Sequence, residues 1–196
     1  MTLRAPIHPS VWRSLRRTDG AVSVEAVLIL PPLFVLFLVC FNFINAYRMQ
    51  TNITRASYVV GDLLSRQIHI VRDKDVEGLR NVFAYVTSTG ADTDIRVSEV
   101  LHRVDAELGI DRYEVVWSEA TGAMSDMTTA NLQDRLDALP SLSPNERVTV
   151  LEGSVLYAPT FHIGIAPYRM TSFTVTSQRY AGQLCIEIAG GGSSCD

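Results

Sequence analysis

A single carboxylate, Glu25, stands at the threshold of the most apolar stretch in a chain of 196 residues. In the segment RRTDGAVSVEAVLILPPLF it lies five residues after Gly20 and six before Pro31. A charged side chain at membrane depth costs about 2.5–3.5 kcal/mol at a helix centre and less near the interface, so such residues tend to have a purpose. Two chemistries are open to this one. Glu25 is a wetted acid at the membrane edge, or it is the partner of a cation in a low-dielectric setting. The second has a defined form. If the chain is cut after Gly20, the new terminus is the α-amine of Ala21, and Glu25 becomes the fifth residue of the product. An ammonium and a carboxylate attract strongly at a lipid boundary. Within one straight helix they stand about 6 Å apart along the axis, and the carboxylate could instead meet the amine of a neighbouring subunit. That pairing would set the axial register of helices packed side by side.

Other reactive residues are sparse. Cys185 and Cys195 lie in QLCIEIAGGGSSCD, with a stretch at 190–194 between them that bends freely. A disulfide is expected if this region is in an oxidising compartment, with about 2–4 kcal/mol as the scale for such a loop. Two free thiols or a metal pair are the alternatives, and the metal reading is weakened by the lack of a histidine nearby in sequence. Cys40 lies inside the apolar run and reads as a small packing residue. The histidines His8, His69, His102 and His162 are scattered, without the spacing of a metalloprotease helix. Asp92 and Asp94 lack the remainder of a calcium loop and read as part of a solvated turn. The triplet Gly190, Gly191 and Gly192 is not followed by a helix with a basic residue, so it is no phosphate cradle. The expectation is a chain without a catalytic site, cofactor or metal.

What must position Glu25 is a helix. Residues 26–47 are 22 consecutive positions without a charge. As a helix they span about 33 Å, enough for a hydrocarbon core of about 30 Å. A buried soluble helix would be expected to leave a wet face, and this run is apolar all round. Arg4, Arg13, Arg16 and Arg17 precede it, opposed by Asp19, whereas Arg48 and Arg55 follow. The arginine excess therefore predicts an N-terminus in the cytoplasm and a C-terminal bulk that crosses. A secretory signal would have a shorter apolar run and a small-residue cleavage site, which FNFINAYRMQ does not offer. Pro31 and Pro32 remove backbone donors deep in the run and should kink or locally unwind it.

Beyond the run, 13 of the 17 Lys and Arg and 19 of the 21 Asp and Glu lie from Arg48 onward, a balance of −6. A nucleic-acid partner would need a basic face, and none is expected. Ile53, Ala56, Val60, Leu64, Ile68 and Val71 recur at helical steps and extend the first helix. A second amphipathic helix carries Val76, Leu79, Phe83 and Val86, with Asp73 or Asp75 as its cap. Residues 88–94 read as a loop. Period-two patterns follow at 97–104, at Tyr113, Val115 and Trp117, at 149–157, and around Phe173 and Val175. A helix bearing Leu132, Leu136 and Leu139, stopped by Pro140, interrupts them. The fold class is α+β: an N-terminal transmembrane helix extended into an amphipathic helix, then an antiparallel sheet of about four strands with helices on one face.

The pattern Gly20, Glu25, Pro31, as G-x4-E-x5-P followed by an apolar run, resembles the N-terminal signature of the TadE/TadF family, minor pseudopilins of tight-adherence (Flp) pilus systems. The resemblance covers residues 16–46 well. It implies that Gly20 precedes the scissile bond of a prepilin peptidase, that Ala21 is the new terminus, and that Glu25 and Pro31 serve subunit assembly. Ala26 departs from the aromatic that follows the glutamate in the major Flp pilin, and the large C-terminal region likewise favours a minor component. The implied organisation is a basic cytoplasmic leader at 1–20, a transmembrane helix at 21–47 and an extracytoplasmic α+β domain at 48–196. The implied setting is the bacterial inner membrane, crossed once, with the C-terminal domain periplasmic. The implied partners are the prepilin peptidase, other pilus subunits, the inner-membrane assembly platform and membrane lipid. A bitopic membrane protein with a periplasmic sensor or binding domain is the alternative.

Overall fold

The computed structural model describes residues 19–161, 165–188 and 192–195. The arginines of the leader, His8 and His162 lie outside them. The chain divides into two compact units, the first ending at Ile44 and the second covering Asn45–Asp196. Helix α1, Asp19–Ser65, supplies residues to both.

In the first unit α1 presents apolar side chains in every direction. Val24, Val27, Leu28, Leu33, Phe34 and Phe37 are each more than half exposed. Among the described residues it is the one helix long and apolar enough to cross a membrane. The helix runs unbroken through Pro31 and Pro32, so the local unwinding allowed by the sequence does not occur. Each proline still lacks the N–H that would close a bond to the carbonyl four residues back, Val27 and Leu28 respectively.

In the second unit the same helix becomes one-sided. Ile53, Ala56, Val60 and Leu64 are fully buried, whereas Tyr58, Val59 and Leu63 face outward. The expected continuation of this stripe to Ile68 and Val71 stops short. The last turn tightens through bonds from the Arg66 and Gln67 amides to the carbonyls of Leu63 and Leu64, and Ile68 is exposed. Val71 is buried for a different reason, as a β-bridge partner of Ile186. Helix α2, Asp73–Thr87, buries Val76 and Phe83. Asp75 does the capping by reaching back: its Oδ2 accepts from the Arg72 amide and from Arg72 Nε, both at 3.1 Å.

Strands β1 (Thr93–Asp105), β2 (Ile110–Ala120), β3 (Arg147–Tyr157) and β4 (Tyr168–Thr176) form an antiparallel sheet in the order β2-β1-β3-β4. The expected α+β class with a four-stranded antiparallel sheet is what the chain adopts, but the helices do not all lie on one face: α1 and α2 cover one, and the short helix at Thr129–Gln133 packs on the other. Ile95, Val97, Trp117, Leu151 and Val155 meet α1 and α2 in the main core. Burying one such aliphatic side chain contributes about 1.5–3 kcal/mol. Helix and sheet approach closely at Gly153, where a Cβ would collide with the Phe83 ring and the Ser172 hydroxyl. A strand glycine therefore marks where the α2 aromatic rests on the sheet.

The opposite face is covered by the 121–146 excursion. Val100, Val148 and Val150 pack there against Met127, Leu132 and Leu142. The helix expected through Leu139 is shorter than its leucine spacing suggests. Helix α3 covers Thr129–Gln133, and a 3-10 turn covers Leu136–Ala138. Between them Arg135 leaves helical geometry (φ −126°, ψ 12°) and reaches Glu152 at 2.5 Å. Leu136 and Leu139 still pack on the second cluster. The loop expected at 88–94 also ends early: a 3-10 turn occupies Gly90–Asp92 and β1 begins at Thr93.

The C-terminal strands β5 (Ile186–Ile188) and β6 (Gly192–Ser194) form a hairpin tied to the rest from beneath. The Val71 amide donates to the Cys185 carbonyl and the Glu187 amide to the Val71 carbonyl, both at 2.8 Å. Trp117 Nε1 donates to the Leu184 carbonyl at 2.7 Å. The Leu184 amide donates to Glu99 Oε1 at 3.2 Å, and Thr149 Oγ1 donates to Glu99 Oε2 at 3.0 Å. Glu99 has no exposed surface, and burial pushes its carboxyl above the ordinary 4.5 although both hydrogen bonds oppose this.

Two expected outcomes follow from this packing. Gly122 has φ +63°, and a Cβ there would run into the Asp94 carboxylate, which is paired with Arg169 at 3.0 Å. Gly122→Ala should destabilise the folded domain by more than about 1 kcal/mol in a denaturant titration of the detergent-solubilised chain. Glu99 sets a pH dependence. Its raised folded value means that the fold binds the proton more tightly than the unfolded chain, which favours folding below about 4.5 and is lost as pH rises through the folded value. Glu99→Gln removes that loss. In melts between about pH 4 and pH 8, its Tm should gain on the native chain as pH rises. Parallel Tm curves would show that Glu99 contributes no such dependence.

Candidate functional site

The first turns of α1 hold the residues singled out in the sequence. The helix begins at Asp19, so the backbones of Gly20 and Ala21 are helical. Glu25 is exposed and follows Ala21 by four positions, about 6 Å of rise and close to one turn. The two positions therefore share a helix face. Six residues on, Pro31 and Pro32 interrupt the hydrogen-bond ladder on a surface that is otherwise wholly apolar. Carboxylate, helix N-terminus and apolar rod lie in linear order along one element. The N-terminal end of a helix carries partial positive charge, which an acidic side chain near it complements.

The remaining candidates are not part of this cluster. Cys185 and Cys195 are brought together at disulfide distance, with Cα atoms 4.7 Å apart. The Cys195 carbonyl accepts from Arg147 Nη1 at 2.7 Å, which ties the C-terminal end to the first residue of β3. Cys40 is exposed on α1, and not a packed core residue within this chain.

The described histidines are apart. His69 is exposed in the turn before α2. His102 lies on β1, with Nε2 2.9 Å from Asp111 Oδ1 and Nδ1 3.0 Å from the Leu142 carbonyl. Both ring nitrogens thus face oxygens, and only the imidazolium donates from both. The Asp111 hydrogen bond accordingly leads in raising its pKa above the ordinary 6.5. The ring also stacks on Tyr113 at 4.6 Å. These contacts make His102 a brace between β1, β2 and the 142–146 turn. Asp92 is exposed, whereas Asp94 is buried and paired with Arg169, so the two do not form the solvated turn read from the sequence. Among the described residues no group of three or more His, Cys, Asp or Glu could hold a metal ion.

Sequence reasoning missed the buried charges. Arg96 and Glu152 pair across β1 and β3 at the centre of the sheet, and Arg135 adds a second guanidinium to Glu152. Arg96 Nη1 also donates to the Ser125 carbonyl at 2.8 Å, anchoring the excursion that covers this face. Charges buried this way are paired and hydrogen-bonded, as burial requires. The one signal available was their place in otherwise apolar strand patterns. Arg96 and Glu152 lie inside the packing between sheet and excursion and hold the two together, whereas the Arg135 side chain is half exposed.

No curated protein and no solved structure matches the chain significantly. A family model does: its match begins at Gly20, passes through Glu25 and Pro31, and ends at Gly61 within the buried stripe of α1. Over residues 20–61 the chain is similar to the family described as TadE-like protein.

Proposed function

We propose that this protein is a minor pseudopilin of a tight-adherence pilus, anchored in the inner membrane by α1 and processed at its N-terminus. The similarity to the TadE-like family supports a place in Tad pilus assembly. The observation that carries the finer reading is where that match starts: at Gly20, the residue before the proposed cut, and not at the beginning of the apolar run. In this reading a prepilin peptidase cleaves between Gly20 and Ala21 on the cytoplasmic face. Glycine suits the position before the cut because it has no side chain and lets the backbone extend.

Cleavage replaces a basic leader with one ammonium at the head of a membrane helix. Glu25, one turn on, is then exposed to the amine of a neighbouring subunit. Pairing the two offsets the cost of a carboxylate near lipid, and only one axial stagger brings them together. The domain from residue 48 onward is in this reading periplasmic, and the Cys185–Cys195 pair is oxidised there. The partners are the peptidase, other pilus subunits and the assembly platform. The Gly20, Glu25, Pro31 arrangement is what favours this over a bitopic sensor, which needs none of the three.

Processing is tested by N-terminal sequencing of protein extracted from membranes. The mature chain should begin at Ala21, and Gly20→Arg should leave full-length precursor. An intact Met1 in the native protein, or a start well beyond Tyr47, would exclude the reading. Glu25→Ala keeps helix propensity while removing the carboxylate. It should leave membrane insertion intact and reduce recovery of partner subunits in co-purification. Unchanged partner recovery would make Glu25 a wetted acid at the membrane edge.

A further inference from the structure

The ring of His102 meets oxygen on both sides. Nε2 lies 2.9 Å from Asp111 Oδ1 on β2, and Nδ1 lies 3.0 Å from the Leu142 carbonyl and 3.2 Å from that of Ser143. A carboxylate and two carbonyls only accept, so a full set of hydrogen bonds needs a proton on each ring nitrogen. The charges around the ring favour that state. In the sheet register His102 stands opposite Tyr113, whereas Arg103 stands opposite Arg112 and Leu101 opposite Glu114. Side chains alternate between the faces of a strand, so these arginines lie on the other face, where both pair with Glu114. Arg147, opposite Leu101 on β3, shares that other face. On the face of His102 the strands offer Asp111, the Tyr113 ring stacked at 4.6 Å, and aliphatic Val100, Val104 and Val148. The 142–146 turn adds one charged side chain, Glu146, whose Oε2 takes the Ser143 amide at 2.7 Å. Among the described residues of these elements, no cation faces the ring.

The two sides of the ring are held unequally. Backbone bonds pin the 142–146 turn to the strand: the His102 amide donates to the Glu146 carbonyl at 3.0 Å, and the Asn145 amide to the His102 carbonyl at 2.8 Å. Leu142 is itself buried in the second cluster. The carbonyls of Leu142 and Ser143 are therefore not free to withdraw from Nδ1. Asp111 is free. Its side chain is 77% exposed, against 13% for His102, and it can turn to water at small cost.

We propose that His102 is a proton-operated clasp between the β1–β2 end of the sheet and the 142–146 turn. Protonated, it bonds both; deprotonated, it keeps Nδ1–H on the turn and lets Asp111 go. A neutral imidazole has one N–H, so its bare nitrogen faces oxygen on whichever side loses the proton. A bare Nδ1 would be held against two fixed carbonyls. A bare Nε2 repels only a side chain that is able to leave, and that is the cheaper outcome. The end of the sheet that carries the exposed Leu108 is thus fastened in acid and loosened in base. The sign of the linkage agrees. The Asp111 hydrogen bond leads in holding the folded pKa above the ordinary 6.5. The stability that the clasp contributes is therefore complete below about 6.5 and is lost as pH rises through the folded value. Nothing in this device depends on α1 or on the reading of its N-terminus.

The test uses the full chain in detergent micelles, labelled with nitrogen-15 in its histidine rings, with the His102 ring assigned from its own backbone signals. A pH titration should give His102 a midpoint above 6.5. Above that midpoint the nitrogen shifts should show Nε2 bare and Nδ1 protonated. Both readings are taken on the native chain and need no variant to fold. Asp111→Asn keeps an oxygen beside Nε2 while removing its charge, and should move the midpoint down toward 6.5. In thermal melts between about pH 5 and pH 8, the Tm advantage of the native chain over His102→Gln should shrink as pH rises. A bare Nδ1 above the midpoint would overturn the order of release. A midpoint at or below 6.5, one that Asp111→Asn leaves in place, or a Tm advantage constant across the range would overturn the clasp itself.

Discussion

One stripe of side chains on α1 carries the second unit. Ile53, Ala56, Val60 and Leu64 recur every three or four residues and are fully buried. Together they supply the surface onto which β1, β3 and β4 lay their inward residues. The stripe works because both partners match its period. Helix α2 offers Val76 and Phe83 beside it, and the sheet offers Gly153 where the Phe83 ring needs room. Substituting a larger residue at 153 would push α2 off the sheet. The same helix earlier in the chain has no such partner: residues 24–37 expose apolar side chains on all faces, and the solvent that suits them is lipid.

The buried polar groups are then consequences of covering a sheet on both faces. Arg96 and Glu152 lie under the 121–146 excursion, and Glu99, Thr149 and Gln178 lie under the C-terminal arm. Removing water from a strand face costs the desolvation of any polar side chain on it, and partners must be supplied by whatever covers that face. Here each covering segment brings one: Ser125 and Arg135 from the excursion, Leu184 from the arm. The segments with the least regular structure are thereby held by directional bonds, whose geometry specifies position more sharply than apolar contact does.

What was legible in the sequence follows from period. The run at 26–47, the stripes on α1 and α2, and the four strands all announce themselves by spacing. The departures have local causes that spacing does not encode. Tyr113, Val115 and Trp117 alternate as if they shared a face. A bulge opposite Glu99 and Val100 inserts an extra residue, so Val115 pairs with Val100 whereas Trp117 pairs with Glu99. Trp117 thus joins the main core, and Tyr113 and Val115 the second cluster. The leucines at 132, 136 and 139 do face one cluster, but Arg135 leaves the helix between them to reach Glu152. That pairing crosses 17 positions, and no local pattern forecasts it. The TadE-like segment was legible for the opposite reason. Its informative residues, Gly20, Glu25 and Pro31, violate the surrounding helix pattern, and such violations concentrate at functional positions.

Insertion alone gives Glu25 nothing to do. A run of 22 uncharged residues is long enough to span without help, and a carboxylate at its edge subtracts from that tendency. On the proposed reading, the arginines before it already favour one orientation. On that reading, a residue that costs insertion energy and is not needed for topology acts after insertion, among helices that share the bilayer. Lipid tails are as apolar as leucine, so packing of apolar rods fixes their stagger weakly. A single ionic pair at one height breaks that degeneracy, because a shift of one turn would separate the charges by about 5 Å in a medium that poorly solvates either. On the proposed reading, cleavage after Gly20 is the step that creates the positive partner. Register becomes available only to processed subunits, and a precursor still carrying its leader lacks the amine with which to take its place.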